Sequence, residues 1–494
     1  MKGWILSLFI VVWAVGIAEG EDLSISEDTE TCIECHGMYH PGIVEDWRRS
    51  RHAKVTPKKA LKRDGLERRI SVEEIPENLA NVVVGCAECH ALNPETHKDT
   101  FDHEDFPVHV VVTPKDCSVC HAEEDAQYSR NIMSHARGNL VENPVYMSLV
   151  KAVIGPQDIE GLSAKLGEPD DKTSAEACLS CHGTAIEVKG LRTEETEEGE
   201  MMFPVLVGWP NQGSGRLNPD GSLGACTACH TRHQFSIEMA RKPHTCSQCH
   251  KGPDVPAYAV YQVSKHGNIH ASLSKEWDFD AVPWRPGKDF TAPTCAVCHV
   301  SLLVDEEGEV IARRTHQMND RNSWRLFGVP YAHPHPINPD TSIIRNRAGL
   351  PLAAELTGEP AAKYLIDAQE QEKRLQTMKA VCHACHGSSW VKGHFERLEN
   401  TIETTNAMTL SATKLMLVGW DKGMAKGLSQ KENLFDEALE KKWVEQWLFY
   451  ANATRMASAM AGTDYGVFAN GRWYLSRNIQ DMIDWLHFKS DVKK

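Results

Sequence analysis

Apolar positions near the C-terminus recur at helical spacing. Leu439, Trp443, Trp447 and Tyr450 are separated by steps of four, four and three, which puts them on one face of a helix. An aromatic stripe of that kind belongs to a core or a helix–helix seam. A last helix is predicted from near Asn478, carrying Met482, Trp485 and Leu486. Upstream, residues 361–380 are rich in Ala, Gln, Glu, Lys and Leu and predict a helix that runs into Cys382. Residues 330–339 contain His333-Pro334-His335-Pro336 and predict an extended stretch. Glu194, Glu195, Glu197, Glu198 and Glu200 predict an acidic loop. At the N-terminus, Lys2 precedes an apolar run over residues 4–17, and Ala18-Glu19-Gly20 offers a small-x-small cleavage site. That is the pattern of a secretory signal, too short for a comfortable membrane span. An uncleaved anchor is the alternative. The whole pattern predicts a mainly α chain with little sheet: a signal peptide over 1–20, a body over 21–390, and a helical segment over 391–494.

Composition narrows the partners. The 494 residues carry a formal net charge of -15, which suits a basic or amphipathic redox partner and excludes nucleic acid. Hydrophobic residues make up 41%, an ordinary share, so the chain can bury a core.

All 16 cysteines fall in eight copies of Cys-x-x-Cys-His, the attachment signal for c-type haem. The pairs are Cys32 and Cys35, Cys86 and Cys89, Cys117 and Cys120, Cys178 and Cys181, Cys226 and Cys229, Cys246 and Cys249, Cys295 and Cys298, and Cys382 and Cys385. His36, His90, His121, His182, His230, His250, His299 and His386 follow them. The rival readings, zinc half-sites or a disulfide scaffold, do not require a histidine after every pair. Eight haems are therefore expected, with each motif histidine as the first axial iron ligand and most of the core filled by porphyrin. Such chemistry belongs outside the cytoplasm, so the chain is expected to be exported to the periplasm or an equivalent compartment.

The second axial position decides the role of each haem. An imidazole or thioether there leaves an electron carrier; an open position admits a small molecule. Sixteen further histidines are available. Between His135 and His230 the only histidine is His182 itself, which points to the fourth haem as the open one.

Ser50-Arg51-His52-Ala53, Met133-Ser134-His135, Cys229-His230-Thr231-Arg232-His233 and Ser264-Lys265-His266-Gly267, with the eight haem motifs, resemble the octahaem hydroxylamine oxidoreductase family. The resemblance runs from about residue 30 to the C-terminus. It implies a helical fold, a homotrimer formed by long C-terminal helices, and seven haems with two histidine ligands. It also implies a five-coordinate catalytic fourth haem that acts on hydroxylamine, hydrazine, nitric oxide or nitrite. Carried over, His52, His135, His233, His266 and His316 are distal ligands, with His103 and His109 favoured over His97 for the remaining two. The tyrosine that the oxidising members join covalently to the fourth haem matches Tyr465, ahead of Tyr474. The electron partner would be a smaller cytochrome or a quinone-linked membrane cytochrome.

Two positions depart from the family's catalytic pattern. The expected Asp-His pair reads Asp254-Val255, and the expected distal tyrosine reads Phe327. Asp254 keeps a proton acceptor, while Val255 and Phe327 dry the pocket. The resemblance favours oxidation of hydroxylamine or hydrazine, with Asp254, Tyr465 and His182 as the catalytic set. The alternatives are a reductive enzyme converting nitrite to hydroxylamine or ammonia, and a non-catalytic electron wire.

Overall fold

The computed structural model describes residues 23–161, 163–196 and 199–492. The expected signal segment, 1–20, lies outside them. About 47% of the chain is helical, and the main strands of the described residues form five two-stranded antiparallel sheets. The mainly α expectation holds. Among the described residues no helix is long and apolar enough to cross a membrane.

The acidic segment is not a loop. It forms the end of a ribbon in which β1 (Glu187–Thr196) pairs with β2 (Gly199–Val207), and Glu195 stands opposite Glu200. Both glutamates are exposed, so water screens their repulsion at little cost to the pairing. Glu197 and Glu198 lie outside the described residues.

The C-terminal third is built from long helices. In α1 (Ala368–His383) the Asp367 side chain caps the first turn by accepting from the Glu370 amide at 2.9 Å. Its last turn delivers Cys382. After Gly387 the chain restarts as α2 (Ser388–Asp421), followed by α3 (Ala438–Val444), a π-helical turn (Glu445–Ala451), α4 (Asn452–Met460) and α5 (Arg472–Val492). The predicted last helix thus begins earlier than Asn478.

Leu439, Trp443 and Trp447 pack with Ala412, Met416 and Trp420 of α2 and with Met482 and Leu486 of α5. Each such buried apolar side chain contributes about 1.5–3 kcal/mol of transfer free energy. Two indole nitrogens are satisfied inside the core, Trp420 donating to Glu440 Oε1 at 2.7 Å and Trp443 to Thr413 Oγ1 at 2.9 Å, while that of Trp447 is buried without a partner. Tyr450 leaves the stripe. It packs with Ala451 and Leu475 in a separate cluster, because the wider π turn rotates the face by less per residue.

One buried cation joins this bundle to the haem-bearing half. Arg455 on α4 is fully buried. Its guanidinium donates to Thr405 Oγ1 at 2.9 Å, Asn406 Oδ1 at 2.7 Å and the Leu326 carbonyl at 3.0 Å. Asn452, one turn earlier, donates to the Asp254 carbonyl at 3.1 Å. Helix α4 therefore holds by their backbones the two segments that carry Asp254–Val255 and Arg325–Phe327.

Candidate active site and haem relay

Each attachment motif folds as a single turn. The amide of the motif histidine donates to the carbonyl of the first cysteine, at 2.8 Å for His90, 2.9 Å for His121, 3.0 Å for His230 and 2.9 Å for His250 and His386. Positions i, i+3 and i+4 then share one face, so both thiols and the imidazole meet one porphyrin. The sixteen cysteines are all free, and residues from all eight motifs line one connected cavity of about 2160 Å³. Ordinary ligand pockets hold about 300–1,000 Å³. A cavity of that size, threaded by paired free thiols, fits several haems packed edge to edge.

The thiols trace the order of the motifs in space. Electrostatic neighbours across motifs are Cys32 with Cys86, Cys89 with Cys120, and Cys117 with Cys226. The series continues as Cys229 with Cys246, Cys246 with Cys295, and Cys298 with Cys382. Motifs one, two, three, five, six, seven and eight thus form a continuous relay. The fourth joins it as a branch at the sixth, where Cys181 meets Cys249.

Five motif histidines face a second imidazole. The ring centres are 6.1 Å apart for His36 and His103, 6.4 Å for His121 and His52, and 6.4 Å for His90 and His233. They are 6.4 Å apart for His230 and His316 and 6.1 Å for His386 and His266. Two imidazoles bonded to one ion between them at about 2 Å each require a separation of this size.

His135 is placed differently from its expected role, while His109 stands beside His90. The His109 ring centre is 6.1 Å from that of His90, and its carbonyl accepts from His90 Nδ1 at 2.8 Å, leaving Nε2 of His90 for iron. Its ring stacks on His97 at 3.5 Å. His135 does not line the cavity, and its Nε2 donates to the Ser129 carbonyl at 2.9 Å. The backbone of the next residue has a role instead, since the Ala136 carbonyl accepts from His182 Nδ1 at 3.0 Å. His250 and His299 face no ring in this way. Sequence reasoning missed His335, which lines the cavity, is buried, and has an unpartnered Nδ1. Its His-Pro-His-Pro setting read only as extended chain.

Around His182 the surroundings change. Burial lowers its pKa; the hydrogen bond to the Ala136 carbonyl and the field of Asp254 act to raise it and the field of Arg325 to lower it, so a carboxylate and a guanidinium lie within electrostatic range of this imidazole. Arg325 lines the cavity with its Cζ 5.2 Å from the Phe327 ring centre, and its Nε is buried without a partner. Val255, Phe327, Met460 and Tyr465 pack against one cluster centred on Val260, Met456 and Ala457. Tyr465 is half-buried, and burial raises its pKa. Tyr474 stacks on Tyr450 at 5.2 Å, in a separate cluster. Asp254 is exposed at this edge.

Three family models match parts of the chain. They are "Seven times multi-haem cytochrome CxxCH" over residues 221–325, "Cytochrome c7 and related cytochrome c" over 167–251, and "Cytochrome c554 and c-prime" over 31–122. A solved "Hypothetical multiheme protein" is 42% identical, with a TM-score of 0.89, covering 95% of this chain and 97% of that one. The chain belongs to the multihaem cytochromes c. Its fold is that of the hydroxylamine oxidoreductase-like members. A reducing HAO-like protein complex of Kuenenia stuttgartiensis superposes with a TM-score of 0.61 at 17% identity, over 94% of this chain and 86% of that one. A "Probable nitrite reductase-hydroxylamine oxidoreductase fusion protein" of the same organism is 24% identical over 392 residues, 74% of this cytochrome. The match spans only 35% of that relative's length.

Proposed function

We propose that this multihaem cytochrome is an octahaem oxidoreductase that turns over a small nitrogen compound at the iron held by His182, with nitrite as the substrate the pocket suits best. The observation that carries the reading is Arg325. It is a cation that lines the haem cavity within electrostatic range of His182, with a buried, unpartnered Nε. An anion with two oxygens satisfies a guanidinium as no neutral substrate does. Bound haem would supply an iron that takes a small nitrogen ligand and passes single electrons. The chain's own residues do the rest. Arg325 orients and neutralises the anion, Val255 and Phe327 keep water out, and the carboxylate of Asp254 takes up or delivers protons at the pocket's edge. With haem bound, His103, His233, His52, His316 and His266 would be the second iron ligands of the haems held by His36, His90, His121, His230 and His386. Those haems then only carry charge, and the branch at the sixth motif connects them to His182.

A second reading, oxidation of hydroxylamine, rests on Tyr465, which packs against the same cluster as Val255 and Phe327. Mass spectrometry of haem-bearing peptides separates the two: a Tyr465 peptide free of haem supports the reductive reading, and a covalent adduct supports the oxidative one. The reading as a whole is tested by magnetic and optical spectroscopy of the holoprotein. One high-spin, carbon-monoxide-binding iron in eight is expected, together with nitrite consumption driven by a reduced dye. A wholly low-spin spectrum would leave only an electron relay.

A further inference from the structure

The outer nitrogens of the motif histidines are not all held alike. His90 and His182 give Nδ1 to neutral carbonyls, that of His109 at 2.8 Å and that of Ala136 at 3.0 Å. His230 and His299 have backbone partners at Ser236 and Met318. His121 is different. Among the described residues it is the one motif histidine within ion-pair distance of a carboxylate, with Glu124 Oε2 standing 4.0 Å from its Nδ1. That oxygen is buried and has no hydrogen-bond partner. Arg314 takes the other oxygen, its guanidinium lying 2.5 Å from Oε1, and so favours the charged carboxylate.

The sequence places Glu124 there by a local rule. His121 stands at the start of the helix Ala122–Tyr128, and its carbonyl accepts from the Asp125 amide at 3.0 Å. Residues three apart on a helix share a face, so Glu124 comes round beside the ring. The Ser71 hydroxyl accepts from the Glu123 amide at 2.9 Å and fixes this turn.

We propose that Glu124 tunes the third haem: its free oxygen accepts a hydrogen bond from Nδ1–H of His121 and lowers the reduction potential of that haem. A carboxylate accepts more strongly than a carbonyl and makes the imidazole a more basic iron ligand, which favours the ferric state. Hydrogen bonding to an axial ligand is one of the levers a protein has on a haem. An ion pair that serves only the fold accounts for less. It uses Oε1 and leaves Oε2 buried and unmet, which is costly for a charged group. Nor is it needed to hold the segment that carries His316, because Gln127 on the same helix accepts from the His316 amide at 2.7 Å.

The position gives the tuning a consequence. In the order the thiols trace, the third motif links motifs one and two to motifs five to eight. Electrons crossing between the two groups therefore meet this haem. A lowered potential makes that crossing the uphill step and holds charge on the side where it was loaded. The inference stands whichever nitrogen compound reacts at His182.

The test is a redox titration of the full-length holoprotein followed by electron paramagnetic resonance, with haem content measured on each sample. Glu124→Gln keeps the size and leaves a neutral acceptor. It is expected to move one low-spin haem to a higher midpoint and leave the others in place. Arg314→Gln removes the opposite charge and is expected to move the same haem to a lower midpoint. Midpoints that stay put, or that move with the same sign in both variants, would reduce Glu124 to an ion pair and overturn the proposal. If Glu124→Gln does not take up its full haem, the sign in Arg314→Gln decides alone, and a midpoint that rises or stays put there overturns it.

Discussion

The Nε of Arg325 is buried and has no hydrogen-bond partner among the described residues. Replacing it by glutamine keeps the volume and removes the charge. If it receives nitrite, Arg325→Gln raises KM for nitrite about tenfold, the loss of roughly 1.4 kcal/mol from one charge-assisted contact. The KM for hydroxylamine, neutral near pH 7, should change little. Steady-state kinetics on both substrates checks this, and equal effects on the two would remove the argument for an anion. The axial pairs make an equally local prediction. His103 stands 6.1 Å from His36, so His103→Ala should convert one further iron to the high-spin, carbon-monoxide-binding state. An unchanged spectrum would show that His103 is not the ligand.

Among the elements, α3 and α4 carry the most consequence. Glu440 on α3 is fully buried beside Trp420. Burial raises its pKa from 4.5 to about 7, against the hydrogen bonds from the Glu437 amide and Trp420. A carboxyl whose folded pKa lies above its unfolded value stabilises the fold below about 4.5, and that contribution is lost as pH rises through about 7. Thermal unfolding should therefore show a Tm that falls between about pH 5 and about pH 8, and Glu440→Gln should flatten the slope. On α4, Arg455 ties the bundle to Leu326. Burial pushes its pKa down to about 9, and no carboxylate is among its hydrogen-bond partners. Arg455→Met removes the donor to the Leu326 carbonyl and one of two donors to Asn406 Oδ1, which also accepts from the Ala332 amide at 3.0 Å, so a loss of about 2–4 kcal/mol in stability is expected. Because Leu326 adjoins Arg325 and Phe327, nitrite turnover should fall even at temperatures where the variant is folded. Unfolding and kinetics on one preparation separate the two effects.

At the scale of the molecule, the relay and the bundle are two halves with different cores. The N-terminal half packs protein around one continuous haem cavity, with short helices and two-stranded ribbons. The C-terminal half has an ordinary apolar core. Phe468 ahead of α5, Trp473 in its first turn and Phe488 near its end remain exposed, at 65%, 57% and 66%. The homotrimer that the resemblance implies would cover that surface with a second and third copy of the chain. Light scattering of the holoprotein should give a trimer, and Trp473→Glu with Phe488→Glu should give monomers that keep all their haem. A monomeric parent protein would sink the trimer.

The sequence by itself determined the haem chemistry, because Cys-x-x-Cys-His is a local motif: one turn brings both thiols and the imidazole together wherever it occurs. It also determined the helical bundle, because a stripe such as Leu439, Trp443 and Trp447 encodes its own burial, up to the π turn that periodicity could not foresee at Tyr450. The tertiary structure alone decided which histidines meet across an iron-sized gap, since partners such as His52 and His121 are far apart in the chain and no spacing rule links them. It set His135 apart from that role, stood His109 beside His90 and brought His335 to the cavity wall. It also brought Arg325 to the cavity wall within electrostatic range of His182, because a pocket's charge depends on which segments a buried clamp such as Arg455 holds together.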